Sequence, residues 1–263
     1  MTPPRALILH APGTNRDLEA AQALTLAGAQ PEIVPLTTLR ANRRPWSAYQ
    51  LLIVPGGFSY ADALGAGRLL ALDLRAYFAD EVQAFVDSGR PVLGICNGFQ
   101  ALVKAGLLPG LNAAGHRRYA TLTFNAGGRF ECRWVTLRPR SARCLWTRGL
   151  TELIDCPVAH GEGNFTLADP ALLADLNMGD QIALTYARAD GAPADEQYPA
   201  NPNGSLADIA GVCNPRGNVL GLMPHPEDHV FAYQHPRRGR PEAPAGRLGL
   251  RLFENGVLFA AQL

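Results

Sequence analysis

The chain has 263 residues, of which 47% are apolar, so it is long enough to bury a full hydrophobic core. Its formal net charge of +1 provides no strong field for nucleic acid or an anionic membrane, and neither partner is expected. There is no apolar run long enough to cross a bilayer, and the N-terminus leads into a strand pattern rather than a signal peptide. The five cysteines are dispersed without a C-x-x-C pair, which predicts reduced thiols in a cytoplasmic protein and argues against disulfides or a metal site.

The first hundred residues alternate between apolar strand patterns and helical patterns. Strands are predicted at residues 6–10, 32–34, 51–54 and 91–95, and helices at 17–27, across 63–88 with a break near 80, and at 97–105. Uninterrupted apolar strands between helices are typical of a parallel sheet that is covered on both faces. We therefore predict an α/β fold with a doubly wound, flavodoxin-like and mostly parallel sheet.

After Gly106 the pattern changes to strands of antiparallel character, which we expect to be added to the parallel sheet. A hairpin is predicted from residues 122–125 and 130–137, with further strands at 157–160, 181–187, 207–213 and 218–223. Short helical patterns cover 170–177 and 246–255, and the Arg- and Pro-rich segment 235–245 is predicted to be an exposed loop. Without an internal repeat or linker, a single domain over 1–263 is favoured.

Cys96 lies between Gly94 and Gly98, at the junction of a predicted strand and a predicted helix. A nucleophile on such a sharp turn needs small neighbours, and the N-terminus of the following helix favours the thiolate. The alternative interpretation is a buried structural cysteine beside a tight turn, which is equally common for this motif in isolation.

A cysteine nucleophile requires a base and a group that orients the base. His225 and Glu227 follow an apolar strand pattern, and the prolines at 224 and 226 favour an extended backbone in which residues two apart project to the same side. Taken separately, they could be an ordinary loop histidine and a surface carboxylate. Their combination with Cys96 favours a catalytic triad of Cys96, His225 and Glu227.

Backbone N–H groups near the cysteine are candidates for stabilising a developing oxyanion. Asn97 directly follows Cys96, and the glycine-rich segment 55–60 follows a predicted strand, so the N–H groups of Gly57 and Asn97 are the expected pair. The alternative for residues 55–60 is an ordinary turn. A phosphate-binding role is disfavoured because the G-x-G-x-x-G spacing is absent.

Together these motifs resemble those of the class I (triad) glutamine amidotransferases. Longer strings are similar to the glutaminase subunits of phosphoribosylformylglycinamidine synthase, which act in purine biosynthesis. The similar strings are PGGFSY (55–60), GICNGFQ (94–100), GRFECRWV (128–135), PVAHGEGN (157–164), YPANPNGS (198–205) and GLMPHPE (221–227).

The resemblance implies a reaction and its partners. Cys96 would attack the side-chain amide of L-glutamine, and His225 would protonate the departing ammonia and then activate water to hydrolyse the thioester. No cofactor is implied in this subunit. A separate synthetase subunit would receive the ammonia and use ATP and Mg²⁺ to make formylglycinamidine ribonucleotide, and a small accessory subunit is also implied. The segment that contains His160 and Glu162 would lie near the partner.

The resemblance also implies residues that contact the substrate. These are Gly56, Gln100, Asn125, Arg129 and Phe130. On the residues alone, Gln100 is equally a helix-face side chain and Arg129 a surface charge at a strand edge.

Three departures from the family pattern concern the loops. Ala61 stands where the family usually has glycine, Asp228 where it commonly has arginine, and the insert at 235–240 lengthens the chain relative to shorter members. They leave open the detailed loop geometry and local charge pairing, while the triad is intact. The remaining alternatives are another triad amidotransferase, a thiol hydrolase of the related fold and, least favoured, a non-catalytic regulatory module.

Overall fold

The fold is built around one nine-stranded sheet with helices on its faces. The computed structural model describes residues 2–110, 119–240 and 246–263. Its strands are β1 (Arg5–His10), β2 (Gln30–Pro35), β3 (Leu51–Val54), β4 (Val92–Ile95), β5 (Ala120–Thr123), β6 (Glu131–Pro139), β7 (Ile154–His160), β8 (Asn164–Leu167), β9 (Ile182–Ala187), β10 (Ile209–Cys213) and β11 (Val219–Leu222). Its α-helices are α1 (Asp17–Leu26), α2 (Leu36–Arg40), α3 (Arg68–Ala76), α4 (Ala79–Asp87), α5 (Asn97–Ala105), α6 (Leu172–Met178) and α7 (Leu250–Ala260).

The large sheet has a parallel half and an antiparallel half. Its strand order is β2-β1-β3-β4-β11-β10-β9-β6-β7, and the first five strands pair in parallel. From β11 onward each neighbouring pair is antiparallel. The central strands β3, β4 and β11 are buried throughout, as expected for strands that are covered on both faces. The predicted doubly wound fold with an added antiparallel region is confirmed.

The predicted hairpin about residues 126–128 is wrong. β5 instead pairs with β8 in a separate two-stranded sheet, in which Leu122 lies opposite Phe165. β6 pairs with β7 and β9 of the large sheet. A tight turn does form at Gly128, whose N–H donates to the Asn125 carbonyl at 2.8 Å. The strands on each side of this turn nevertheless pair with strands farther along the sequence rather than with each other.

Two predicted helices have different limits, and one predicted loop is partly buried. The helical region 63–88 divides into α3 and α4 at the buried Phe78, whose ring packs against Trp46 at a centroid distance of 5.7 Å. The C-terminal helix begins at Leu250 rather than 246, because the Gly249 N–H is held by the His229 carbonyl at 2.8 Å. In the segment 235–245, residues 236–240 are exposed but His235 is buried, and 241–245 lie outside the described residues. Among the helices of the described ranges, none has the length and apolar character needed to span a membrane.

Candidate active site

Three neighbouring strands bring the predicted catalytic residues together at one edge of the sheet. β3, β4 and β11 are parallel and adjacent, with Leu222 opposite Ile95 and Val54 opposite Gly94. Because the carboxyl ends of parallel strands meet at one edge, the loops that follow them lie side by side. These loops carry the glycine-rich segment 55–58, Cys96 and the turn that contains His225.

Cys96 occupies a strained turn between β4 and α5. Its backbone has φ 49° and ψ −104°, a conformation that costs a non-glycine residue roughly 1–3 kcal/mol. The strain is held by two hydrogen bonds, from the Cys96 N–H to the Leu222 carbonyl at 2.8 Å and from the Gln100 N–H to the Cys96 carbonyl at 3.0 Å. A Cβ on Gly98 would lie 1.8 Å from the Val54 carbonyl oxygen, so the close approach of β3 requires glycine there. The Cys96 side chain is therefore fixed at the N-terminus of α5, with its Sγ 3.8 Å from the Ala159 carbonyl oxygen.

His225 and Glu227 form the hydrogen-bonded pair that their spacing predicts. The His225 Nδ1 lies 2.7 Å from the Glu227 Oε1, and both residues are buried. The His225 backbone N–H donates to the Pro157 carbonyl at 2.8 Å, which anchors the turn to β7. Burial is the largest influence on the pKa of His225 and acts to lower it. The Glu227 carboxylate and the Cys96 sulfur together outweigh burial, and the pKa of His225 is raised well above its usual value. The arrangement favours a protonated His225 imidazole that is oriented by Glu227.

The two predicted oxyanion donors lie beside the cysteine with their N–H groups free. Within the described part of the chain, neither the Gly57 nor the Asn97 backbone N–H donates to a protein acceptor. Gly57 has φ 136°, and the segment around it bridges to Thr14 of the loop after β1. The Asn97 side chain accepts from the Ser59 backbone N–H at 3.2 Å, so it ties the glycine segment to the start of α5. Both N–H groups remain candidates for binding an oxyanion.

Gln100 and Asn125, two of the predicted substrate contacts, are buried and bonded within the protein. The Gln100 Nε2 donates to the Glu162 carbonyl at 2.6 Å, and its Oε1 accepts from the Asn97 Nδ2 at 3.2 Å. The Asn125 side chain joins two loops, as it donates to the carbonyls of Arg129 and His160 and accepts from the Gly163 N–H. Their contact with substrate stays a prediction.

The other predicted substrate contacts lie at the rim of the site or against the histidine. Phe130 is exposed and stacks on Phe58 of the glycine-rich segment at a centroid distance of 6.4 Å. The exposed Arg129 pairs with Glu131 at 3.0 Å and donates to the Tyr198 hydroxyl at 2.8 Å. Gly56 lies against the imidazole of His225. A role of these residues in binding substrate also stays a prediction.

His160 is buried close to the site and is held in one tautomer. Its Nδ1 lies 3.1 Å from the Asn125 Oδ1, an acceptor atom, so the proton is on Nδ1. Burial above all, together with the nearby His225, lowers the pKa of His160 to about 4. His160 is therefore neutral, unlike His225, and this environment is consistent with leaving His160 out of the predicted triad.

The loop after β1 is a part of the site that the sequence did not reveal. The N–H groups of Asn15 and Arg16 both approach the Gly56 carbonyl, at 3.4 and 3.3 Å, and the Phe58 N–H donates to the Gly13 carbonyl at 2.9 Å. The only available signal was a polar, glycine-containing turn after the first strand, at the same edge of the sheet. This loop therefore holds the glycine-rich segment through backbone hydrogen bonds.

One group of potential metal ligands occurs among the residues that the structure describes. Suitable atoms of His225, Glu227 and Asp228 lie within 4.8 Å of one another. The His225 Nδ1 is already bonded to Glu227, and we assign this group to acid–base chemistry rather than to a metal.

Comparison with known proteins identifies the family. A family model described as a CobB/CobQ-like glutamine amidotransferase domain matches residues 3–260. The phosphoribosylformylglycinamidine synthase subunit PurQ of Treponema denticola is 54% identical, with 97% of this chain and 98% of the relative covered. The chain belongs to the PurQ family of glutamine amidotransferases. PurQ of Dehalococcoides mccartyi is 42% identical over the full length of both chains.

A solved structure also supports the fold. A chain of the structure of PurLQS from Thermotoga maritima is 32% identical and superposes with a TM-score of 0.74, covering 98% of this chain and 99% of that chain. The predicted resemblance to glutaminase subunits and the predicted class of enzyme are therefore confirmed.

Proposed function

We propose that this chain is the glutaminase subunit of a phosphoribosylformylglycinamidine synthase, with Cys96, His225 and Glu227 as its catalytic triad. The observation that carries this proposal is the close association of a strained nucleophile turn with a buried His225–Glu227 pair in a PurQ family member. The whole chain, 1–263, would form one glutaminase domain, and its continuous buried core from Ala6 to Ala260 supports this.

The first half of the reaction forms a thioester and releases ammonia. The Cys96 thiolate attacks the side-chain amide carbon of L-glutamine, and the N–H groups of Gly57 and Asn97 donate to the oxygen that gains negative charge. His225, protonated and held by Glu227, gives its proton to the departing amine. The carbon–nitrogen bond breaks, and ammonia leaves.

The second half hydrolyses the thioester. The neutral His225 accepts a proton from water, which attacks the thioester carbon. Collapse of the second oxyanion breaks the carbon–sulfur bond, releases glutamate and restores the Cys96 thiolate beside the protonated His225. One glutamine and one water are converted into one glutamate and one ammonia.

The ammonia would be used by other subunits. We propose that it passes to a synthetase subunit that consumes ATP and Mg²⁺ and converts formylglycinamide ribonucleotide to formylglycinamidine ribonucleotide. A small accessory subunit would complete the complex, as the name PurLQS of the solved relative suggests. This chain would need no cofactor of its own and would act in the cytoplasm.

A glutaminase assay with and without the synthetase subunits tests the proposal. We expect weak release of glutamate from glutamine by the isolated chain and a marked rise in the assembled complex. Cys96→Ala should abolish glutamine-dependent synthesis while free ammonia still supports it. Hydrolysis of peptides without hydrolysis of glutamine would instead indicate a thiol hydrolase, and transfer of ammonia to a different synthetase would indicate another triad amidotransferase.

A further inference from the structure

The turn that carries the catalytic histidine contains two adjacent carboxylates in a poorly solvated environment. Glu227 is buried, and the side chain of Asp228 is 19% exposed. Because the two side chains are close together and largely shielded from solvent, their negative charges repel each other more strongly than they would in water. Burial first, and then Glu227, raise the pKa of Asp228 to about 6. The His225 imidazole bonds to only one of the two, Glu227, so Asp228 needs another positive partner.

Arg16, at the start of α1, provides that positive charge. Its Nε lies 3.6 Å from the Asp228 Oδ2, and its Nη1 lies 3.1 Å from the Glu19 Oε1. Burial acts to lower the pKa of Arg16, but Asp228, Glu19 and Glu227 together raise it. The guanidinium is therefore close enough to interact electrostatically with the catalytic carboxylate as well as with its immediate neighbour.

The same residue contacts the glycine-rich segment that supplies the proposed oxyanion donor. The Arg16 backbone N–H approaches the Gly56 carbonyl at 3.3 Å. The Arg16 Cγ lies 3.5 Å from the position that a Cβ on Gly56 would occupy. Arg16 thus joins two separate loops of the site, one through its backbone and the other through its side chain.

We propose that Arg16 is a positioning residue for the glutaminase reaction, whose guanidinium balances the paired carboxylates of the histidine turn and holds that turn against the glycine-rich segment. This inference rests on the proposed glutaminase function. The charged and titratable groups that face Asp228 are Arg16, which precedes α1, Glu19 of α1, His225 and Glu227 of its own turn, and the buried thiol of Cys156 on β7.

The consequence is a defined dependence of activity on pH. Loss of the guanidinium should raise the pKa of the His225 imidazolium, because a nearby positive charge favours its deprotonated form. In the assembled complex, Arg16→Gln should therefore shift the alkaline limb of kcat/KM for glutamine to higher pH by roughly one unit. Arg16→Lys keeps the charge and should show a smaller shift.

A double variant of Arg16 and Asp228 tests whether the effect on the pH profile is electrostatic. Asp228→Asn removes a carboxylate that is charged above a pH of about 6 and interacts with His225, so it should shift the alkaline limb to lower pH, opposite to Arg16→Gln. The double variant Arg16→Gln/Asp228→Asn removes one charge of each sign, so its limb should return close to that of the wild type. A role in packing alone would not produce this reversal. The matched control is Arg5→Gln. Arg5 is an exposed arginine at the opposite end of β1, where it pairs with Glu32 of β2. Its replacement should leave the pH profile of kcat/KM unchanged.

The outcomes separate the two proposals. A wild-type complex without glutaminase activity would overturn both the proposed function and the role of Arg16. An active wild type with an unshifted limb in Arg16→Gln, or a double variant shifted as far as the single one, would overturn only the role of Arg16. If Arg16→Gln does not fold, as judged by its urea unfolding transition, Asp228→Asn decides the matter, and an unchanged alkaline limb in that variant contradicts the proposal.

Discussion

The backbone of Gly56 packs directly against the imidazole of His225. A Cβ at position 56 would lie 2.7 Å from the Cε1 and 3.3 Å from the Nδ1 of that ring, whereas ordinary carbon contacts are longer. The absence of a side chain at Gly56 therefore leaves the space that the His225 imidazole occupies. The sequence indicated a small residue here for access to an oxyanion, and the packing supplies a second reason.

Gly56→Ala should impair catalysis without preventing folding. The added methyl group displaces the imidazole from Cys96, and a displacement of about 1 Å at reacting groups costs on the order of 100-fold in rate. We expect a loss of this size in kcat for glutamine hydrolysis by the complex. Gly127→Ala is the matched control, because the nearest atom to its new Cβ would be 3.9 Å away. Equal activities of the two variants would show that Gly56 does not position His225.

Glu227→Gln should lower activity and change its dependence on pH. The carboxylate raises the pKa of His225, so the protonated imidazole persists to higher pH in the wild type and is lost as pH rises through that pKa. Without the charge the pKa of His225 falls, and the alkaline limb of kcat should move to lower pH. We also expect kcat to fall by at least about 100-fold, the range of general acid–base catalysis. An unchanged alkaline limb would contradict the assignment of Glu227.

Cys96 should react with a glutamine-mimicking electrophile before the other four cysteines. Its position beside His225 favours the thiolate, while burial above all raises the pKa of Cys156 well above its usual value. Cys132 is the exposed comparison residue. Mass spectrometry after partial inactivation should find the label on Cys96, and Cys132→Ser should be inactivated as fast as the wild type. Preferential labelling of Cys132 would argue against a reactive Cys96.

Asn125→Ala should destabilise the fold. The buried amide bonds to the carbonyls of Arg129 and His160, the Gly163 N–H and the His160 Nδ1, and each buried group left without a partner costs roughly 1–3 kcal/mol. We expect the free energy of unfolding in urea to fall by at least about 2 kcal/mol. Asn177→Ala is the control, since that amide makes an exposed bond to Leu173 on α6. A stable Asn125→Ala protein with a raised KM for glutamine would favour direct substrate contact instead.

Ala61→Gly should stabilise the loop after β3. Ala61 has φ 55° and ψ 28°, a left-handed conformation that costs a residue with a Cβ roughly 1–2 kcal/mol. Glycine removes that cost, but it also increases the conformational entropy of the unfolded chain, which offsets part of the gain in stability. The expected net gain is therefore up to about 1 kcal/mol in the free energy of unfolding. A clear loss of stability would show that the Ala61 methyl group makes contacts that outweigh the strain.

Local signals made the nucleophile turn and the histidine motif predictable. The limits of β3 and α5 agree with those predicted, because an uninterrupted apolar run and a glycine-bounded helix are encoded within about ten residues. The spacing of His225 and Glu227 likewise places their side chains in contact through the local backbone alone.

Features that depend on distant partners were not predictable in the same way. β5 pairs with β8 across more than forty residues, so a nearer strand looked like the better partner. His235 occurs in a charged, proline-rich segment, yet its ring lies 4.9 Å from that of Trp134 on β6. The proposed role of Arg16 depends on Asp228, which lies near the other end of the chain, and no local sequence pattern predicts that pair.

Cys96 and His225 are both held in place by strand β11. β11 leads into the turn of His225 and also accepts, through Leu222, the backbone hydrogen bond that holds Cys96 in its strained conformation. A shift of this strand would carry sulfur and imidazole together and conserve their separation. The glycine-rich segment is tied instead to the loop that follows β1 and to the Asn97 side chain, so a shift of that loop would move Gly57 relative to Cys96 and His225.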